Sequence, residues 1–205
     1  METDMDRERL ERQLSFALEA DKEKRITRQN YNSDGVTLEN DAEHAWHMAV
    51  MAVLLSEYAN EPVDLLRTVK MILLHDVVEI DAGDTYAYDE EAKKSQEERE
   101  SAAADRIYGL LPADQRDEFF ALWREFEEQK TPEARFARTM DNLQPMMLND
   151  ASDGKSWVEH GIRLDQILER NKNSAAGSEE LWQFARENWL EKNVAQGHIK
   201  KEDIS

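Results

Sequence analysis

His75 and Asp76 stand side by side at the end of the aliphatic run Ile72-Leu73-Leu74, and Glu79 and Asp84 follow within a few positions. Imidazole nitrogen beside carboxylate oxygen is a donor pairing that suits divalent Mn, Fe, Co, Ni or Zn. Neighbouring side chains on a helix diverge by about 100°. Both therefore reach one ion only at a helix end or at a point between helices, and the remaining donors must come from other helices, as in bundle-core metal sites. The candidates are few. His44 and His47 lie three apart on the apolar stripe of an earlier helix, and Asp141 interrupts Met140-Asp141-Asn142-Leu143. A carboxylate at an apolar-face position must be paired or bound to a metal, because burying it alone is too costly. Taken one at a time, each residue has an ordinary explanation. A histidine on an apolar face is commonly a hydrogen-bonded core residue, Asp141 could pair with Arg138 or Arg135, and Glu79 and Asp84 could be solvated. The set is harder to dismiss. Upstream, Arg25 and Arg28 lie three apart just before an irregular stretch, a spacing that suits a phosphate clamp or a solvated helix end.

The elements that must position these residues are helical. With 205 residues the chain suits one domain with a single core. Only 7 glycines and 4 prolines interrupt it, and its abundant Ala, Leu, Glu and Lys favour helix. Periodicity predicts an amphipathic helix over 4–24 with Leu10, Leu14, Ala17 and Leu18 on one side, then a loop at Asn32-Ser33-Asp34-Gly35. The next helix runs from Asp41 to Tyr58, capped by Asn40 or Asp41, with His44, His47, Met48, Met51, Leu54, Leu55 and Tyr58 on one stripe. Pro62 sits at the first turn of a helix that turns Leu65, Leu66, Val69, Ile72 and Leu73 inward. Gly83 closes the His-Asp region, and Asp84 to Asp89 reads as a loop. Helices follow over 90–110, 114–129, from Pro132 (kinked at Pro145), 156–171 and 178–195. The expected inner face of 90–110 is Ala102, Ala103, Ile107 and Leu110. Trp157, Trp182 and Trp189 are expected in core or dimer contacts. The whole reads as one all-α domain over 1–205, its core spanning about 10–150 with C-terminal helices 155–196 packed on it.

Charge and composition exclude other functions. The 45 acidic residues outnumber the 26 basic ones, leaving a net charge of −19. That opposes binding to a nucleic-acid polymer or to an anionic membrane. A small phosphate ester still fits where a metal and a local arginine outweigh the global field. No cysteine is present, so disulfides, thiolate-bound zinc and thiol catalysis are excluded. The apolar runs fall far short of the ~20 residues a membrane span needs. The polar, acidic start carries no signal-peptide core, so a cytoplasmic protein is expected.

Three segments together are specific. Asp41-Ala42-Glu43-His44, His75-Asp76-Val77-Val78-Glu79 with Gly83-Asp84-Thr85, and Phe136-Ala137-Arg138-Thr139-Met140-Asp141 resemble the H…HD…D pattern of the HD-domain superfamily. Within it, the Glu after His-Asp and the Gly-Asp-Thr are similar to the deoxynucleoside 5′-monophosphatase branch, the YfbR-like hydrolases. The resemblance runs in order from about residue 10 to about residue 150. It implies an all-helical HD-domain bundle and one divalent ion held by His44, His75, Asp76 and Asp141, with His47 left to the core or to a place behind the ligands. It further implies catalytic roles for Glu79 and Asp84 and a phosphate-gripping arginine, matched by Arg28 with Arg25 as the alternative. The Arg-Trp segment of some members is replaced here by Arg28-Gln29-Asn30. Family members often form dimers. The expected function is metal-dependent hydrolysis of a (deoxy)nucleoside 5′-monophosphate. The alternatives are another HD-type phosphohydrolase, acting on a triphosphate or signalling nucleotide, and a non-catalytic metal-binding scaffold.

Overall fold

A computed structural model of the chain describes residues 2–85, 88 and 94–201. Helix α1 (Glu2–Ala20) passes through a 3-10 turn (Asp21–Arg25) into two short antiparallel strands, β1 (Thr27–Tyr31) and β2 (Leu38–Asn40). The main bundle follows: α2 (Asp41–Leu55), α3 (Leu65–Leu74), α4 (Glu79–Ala82), α5 (Gln96–Tyr108), α6 (Ala113–Glu128) and α7 (Pro132–Ala151). Shorter helices α8 (Lys155–His160), α9 (Leu164–Arg170), α10 (Ser174–Gly177), α11 (Glu179–Ala185) and α12 (Glu191–Gln196) complete it. Among the described residues no helix is long and apolar enough to cross a membrane.

The helix starts are written in the sequence. Asn40 caps α2 in a reciprocal capping box with Glu43. Thr131 accepts from the Ala134 amide, and Pro132 takes the first position of α7, where its missing N–H costs nothing. Helix α7 is the axis of the molecule, buried along most of its length and packed by α2, α3, α6 and α10. At Gly177 the backbone of α10 comes so close to α7 that an added Cβ would lie 2.3 Å from the Arg135 carbonyl oxygen.

Several expectations fail for physical reasons. The stretch Thr27 to Asn40 contains a small hairpin that helical periodicity could not signal. On α1 the stripe Leu10, Leu14 and Leu18 is exposed. Phe16 anchors that helix instead, packing against Phe119 and Tyr108 with ring centroids 5.6 and 6.3 Å away. Arg12 assists by donating to the carbonyls of Gly109, Leu110 and Leu111 at the end of α5. Helix α3 begins after its cap Asp64, not at Pro62. It buries Thr68, Met71, Ile72 and Leu74 and turns Leu66 and Leu73 outward. Its sequence is apolar on nearly every side, so pattern alone left the register open. Helix α5 buries Ala103, Ala104, Ile107 and Tyr108, leaving Ala102 outside. The expected helix 156–171 is two helices, because Gly161 adopts φ +61° and ends α8. Parts of the expected loop Asp84 to Asp89, and of the helix start near 90, lie outside the described residues.

Candidate metal centre

The site forms where α3 runs out. Leu74 is its last residue, and His75 to Val78 form a turn leading into α4. A helix end leaves carbonyl oxygens without partners; the Leu74 carbonyl accepts from the Tyr108 hydroxyl at 2.9 Å. This is the helix-end geometry that lets adjacent His75 and Asp76 face one point. His44 from α2 and Asp141 from α7 arrive beside His75, whereas Asp76 groups with Asp41 and Glu79. Donor atoms of His44, His75 and Asp141 all lie within 4.8 Å of one another.

The hydrogen-bond network fixes both imidazoles. His75 Nδ1 lies 2.7 Å from the Ile72 carbonyl oxygen, so Nδ1 carries the proton and Nε2 is left with its lone pair. That Nε2 is buried without a hydrogen-bond partner, although Asp76 Oδ1 lies 3.1 Å and Asp141 Oδ1 3.9 Å away. His44 is set the same way. Gln144 directs its amide nitrogen at Glu39 and at His47 Nδ1, so its Oε1 accepts from His44 Nδ1 at 3.0 Å. His44 Nε2 then points at Asp141 Oδ1, 3.2 Å off. A nitrogen lone pair facing carboxylate oxygens is unfavourable unless a cation or a proton lies between, so the donor set fits a divalent ion.

The two carboxylates are divided alike. Asp141 turns Oδ1 to the histidines, while its Oδ2 accepts from Arg138 at 2.9 Å and Arg170 at 3.3 Å. Asp76 turns Oδ1 to His75 and Oδ2 to Arg28, at 2.8 Å. The Arg138 pairing and the metal-facing oxygen therefore coexist on one residue, while Arg135 pairs with Glu61. Arg138 also stacks over Phe126, 4.1 Å from the ring centroid, and Phe126 packs against His75 with centroids 4.6 Å apart. Burial and Arg28 push His44 down, but Asp141, Glu39 and Asp76 outweigh them and bring it up to about 9. Without a metal the cage thus attracts a proton. Against the effect of burial, His75 and Arg28 hold Asp76 below the usual carboxylate range; the His44 hydrogen bond and both arginines do so for Asp141.

On the far side of Asp76 lies a wall of carboxyls. Asp41, Asp76 and Glu79 place oxygens within 4.8 Å of one another, and Arg28 donates to Asp41 at 3.1 Å. Glu79 Oε2, Asp41 Oδ2 and Glu23 Oε1 are buried without hydrogen-bond partners. Burial, with Asp76 and Asp41 beside it, drives Glu79 well above the usual range; burial and Asp76 raise Asp41 to about 7, and burial with Asp76 and Asp41 raises Glu23 to about 8. Asp84, half-buried, is raised by burial too and lines the same cavity as Arg28 and Glu79. Arg25 is exposed and is not among the residues lining that cavity. Arg28 is part-buried, its side chain 13% exposed, with an Nε that lies 4.0 Å from Glu39 Oε2 and makes no hydrogen bond among the described residues.

The cavity has a volume of about 160 Å³ and opens to solvent. From the cage it runs along α7 to Asn149 and Trp157. Trp157 is buried, as expected of a core residue, but it also forms cavity wall. Sequence reasoning missed Gln144, Glu39, Glu23 and Arg170. A glutamine on the buried face of α7, three residues past Asp141, was the one available signal. Glu39 and Glu23 come from short elements with no periodicity to mark them.

Comparison with known proteins agrees with this centre. The HD-domain family pattern matches residues 20–182. The chain is 30% identical to 5′-deoxynucleotidase HDDC2 of Mus musculus over 77% of its own length and 76% of that protein's. It is 31% identical to the Homo sapiens counterpart over 64% of its length, spanning 62% of the human chain. The crystal structure of a predicted metal-dependent phosphohydrolase from Magnetospirillum magnetotacticum MS-1 superposes with a TM-score of 0.89 at 46% identity, covering 93% of this chain and 95% of that one. A conserved hypothetical protein from Pyrococcus furiosus, 20% identical with a TM-score of 0.62, shares the fold. With His44, His75 and Asp141 gathered at one point, Asp76 beside them, and the family pattern spanning most of its length, the chain belongs to the HD-domain family.

Proposed function

We propose that this protein is a metal-dependent phosphohydrolase that removes the 5′-phosphate from nucleoside monophosphates, deoxyribonucleotides foremost. One observation carries the reading: His44, His75 and Asp141 converge on one point, with Asp76 beside His75 and Arg28 next to it, at one end of a polar cavity. The similarity to proteins named 5′-deoxynucleotidase supports the substrate class.

His44, His75, Asp76 and Asp141 would hold one divalent ion, and their mixed donors suit Mn, Co, Ni, Fe or Zn. Bound there, the ion would lower the pKa of a water and offset charge on the phosphoryl group. The chain's own groups do the rest. Arg28, whose Nη1 is held by Asp41 and Asp76, offers its remaining N–H groups to the non-bridging phosphate oxygens. Glu79, held beside Asp76 and Asp41, orients the attacking water and takes its proton at Oε2 once its carboxyl is ionised, a state that burial and both neighbours disfavour in the metal-free chain. Asp84, also raised, delivers a proton to the departing sugar oxygen. Arg138 and Arg170 keep Asp141 oriented and ionised.

A homodimer belongs to the same reading. Trp46, Val50, Val53 and Leu54 fall on one exposed side of α2, and Leu66 and Leu73 do the same on α3. A cytoplasmic setting goes with a nucleotide substrate and a chain without cysteine. Phosphate release should be measured across nucleoside monophosphates, triphosphates and cyclic dinucleotides, each with Mn, Co, Ni and Zn. Turnover confined to the monophosphates is expected. Exclusive hydrolysis of triphosphates or cyclic dinucleotides would move the assignment to another HD-type phosphohydrolase. Bound metal with no turnover of any of them would leave a scaffold.

A further inference from the structure

Three asparagines that no step above uses line the same cavity: Asn142, Asn149 and Asn171. All are buried, with 5%, 3% and 2% exposure. In each the amide nitrogen is engaged: Asn149 Nδ2 donates to the Pro145 carbonyl at 2.9 Å, Asn171 Nδ2 to the Ile167 carbonyl at 2.8 Å, and Asn142 Nδ2 to Ser174 Oγ at 2.9 Å. For Asn149 and Asn171 the partner is a carbonyl, which only accepts, so the amide orientation is not interchangeable. In each the Oδ1 is left buried with no partner. Buried acceptors without donors are uncommon in proteins and ask for an explanation. All three residues line the cavity, and because their Oδ1 atoms are covered in the ligand-free chain, a donor in the cavity reaches them once the side chains turn toward it.

Their positions order them. Asn142 adjoins the metal-facing Asp141, and Asn171 adjoins Arg170, which donates to that aspartate. Asn149 lies eight residues further along α7, about 12 Å away at 1.5 Å per residue. There the wall also contains Trp157, whose neighbour Ser156 donates to the Gln29 carbonyl at 3.0 Å and so joins α8 to β1. A phosphate at the cage end directs its ester group down this wall. The group must be long, must carry donors, and must end in something flat enough to lie beside an indole. A nucleoside meets all three demands: its sugar hydroxyl is a donor near the phosphate, and the amino groups of adenine, cytosine and guanine are donors at the far end.

We propose that Asn149 and Trp157 form a base subsite, in which Asn149 Oδ1 accepts from the exocyclic amino group and Trp157 packs against the ring, while Asn142 and Asn171 accept from the sugar hydroxyl. The inference rests on the nucleotide reading above, but it is tested without hydrolysis. Binding of 2′-deoxyadenosine and of its analogue lacking the 6-amino group is measured by calorimetry on the parent and on Asn149→Ala. The parent should favour deoxyadenosine about tenfold, and Asn149→Ala should bring the two ligands to within about twofold. Because both ligands meet the same preparation, partial unfolding of the variant cancels from the ratio. Trp157→Leu should weaken both ligands by a similar factor while leaving their ratio near the parent's. A parent that does not discriminate, or an Asn149→Ala that discriminates as the parent does, overturns the subsite. Discrimination that depends on Asn149 in a protein releasing no phosphate from any nucleotide would support the subsite and refute the hydrolase reading, so the two stand or fall separately.

Discussion

Asp76 divides two regions of opposite design. On one side, the imidazoles of His44 and His75 and the outer oxygen of Asp141 are each engaged by a named partner: Gln144, the Ile72 carbonyl, Arg138 and Arg170. On the other side, Glu23, Asp41 and Glu79 each keep a buried oxygen with no hydrogen-bond partner among the described residues. Orienting partners fix tautomer and direction, which is what a permanently held cation demands. Buried carboxyls with few partners gain proton affinity, which is what proton transfer demands. One aspartate shared between them joins a seat suited to a cation to a set of carboxyls whose proton affinity is raised.

The sharpest way to break this contrast is to remove a cage member. Asp141→Asn should lower metal affinity by more than the 10–100-fold typical of orienting partners and abolish phosphate release, read by metal analysis after dialysis alongside a phosphate assay. On the carboxyl side, Glu79→Gln should retain metal and lose turnover by about 10²–10⁴, the usual worth of a general acid or base. A variant that turns over as fast as the parent would end the role given to Glu79. A smaller effect is expected behind the cage. Gln144→Leu keeps every proposed ligand but frees His44 to rotate or change tautomer, and should cost about 10–100-fold in metal affinity.

The smallest effect concerns Glu23, which affects stability. Its folded carboxyl is raised to about 8 from 4.5, so the folded state binds the extra proton between those values. Stability from this group therefore falls as pH rises from about 4.5 to about 8. Glu23→Gln should raise the metal-free protein's stability by about 2 kcal/mol at pH 8, the scale of an unsatisfied buried group, and change little at pH 5. Equal gains at both pH values would show that the Glu23 charge is not the cause.

The sequence revealed the cage better than the wall, and the reason is physical. His75-Asp76 and Asp141 are polar interruptions in apolar helices, so periodicity exposes them. Glu23 and Glu39 sit in a 3-10 turn and a three-residue strand, where no pattern separates a buried acid from the many others in this chain. The same limit explains the missed hairpin. On α1, three leucines at helical spacing promised a buried stripe, yet packing chose Phe16, because periodicity ranks faces by hydropathy and not by what lies opposite. Arg28 was singled out among two arginines by resemblance; its part-buried place beside Asp76, against the exposed Arg25, is a feature of the fold that spacing does not encode.

The guanidinium of Arg170 reaches Asp141 from the tail of the chain, and the Thr139 hydroxyl, on the same helix as Asp141, donates to the Ser174 carbonyl at 2.9 Å. Ion binding and the docking of these late segments are therefore linked equilibria: whatever tightens one tightens the other. Loading the centre should slow amide hydrogen exchange across 164–177, far downstream of the signature motifs. A fragment trimmed after residue 152 would carry the entire H…HD…D signature and still lack the Arg170 contact to Asp141.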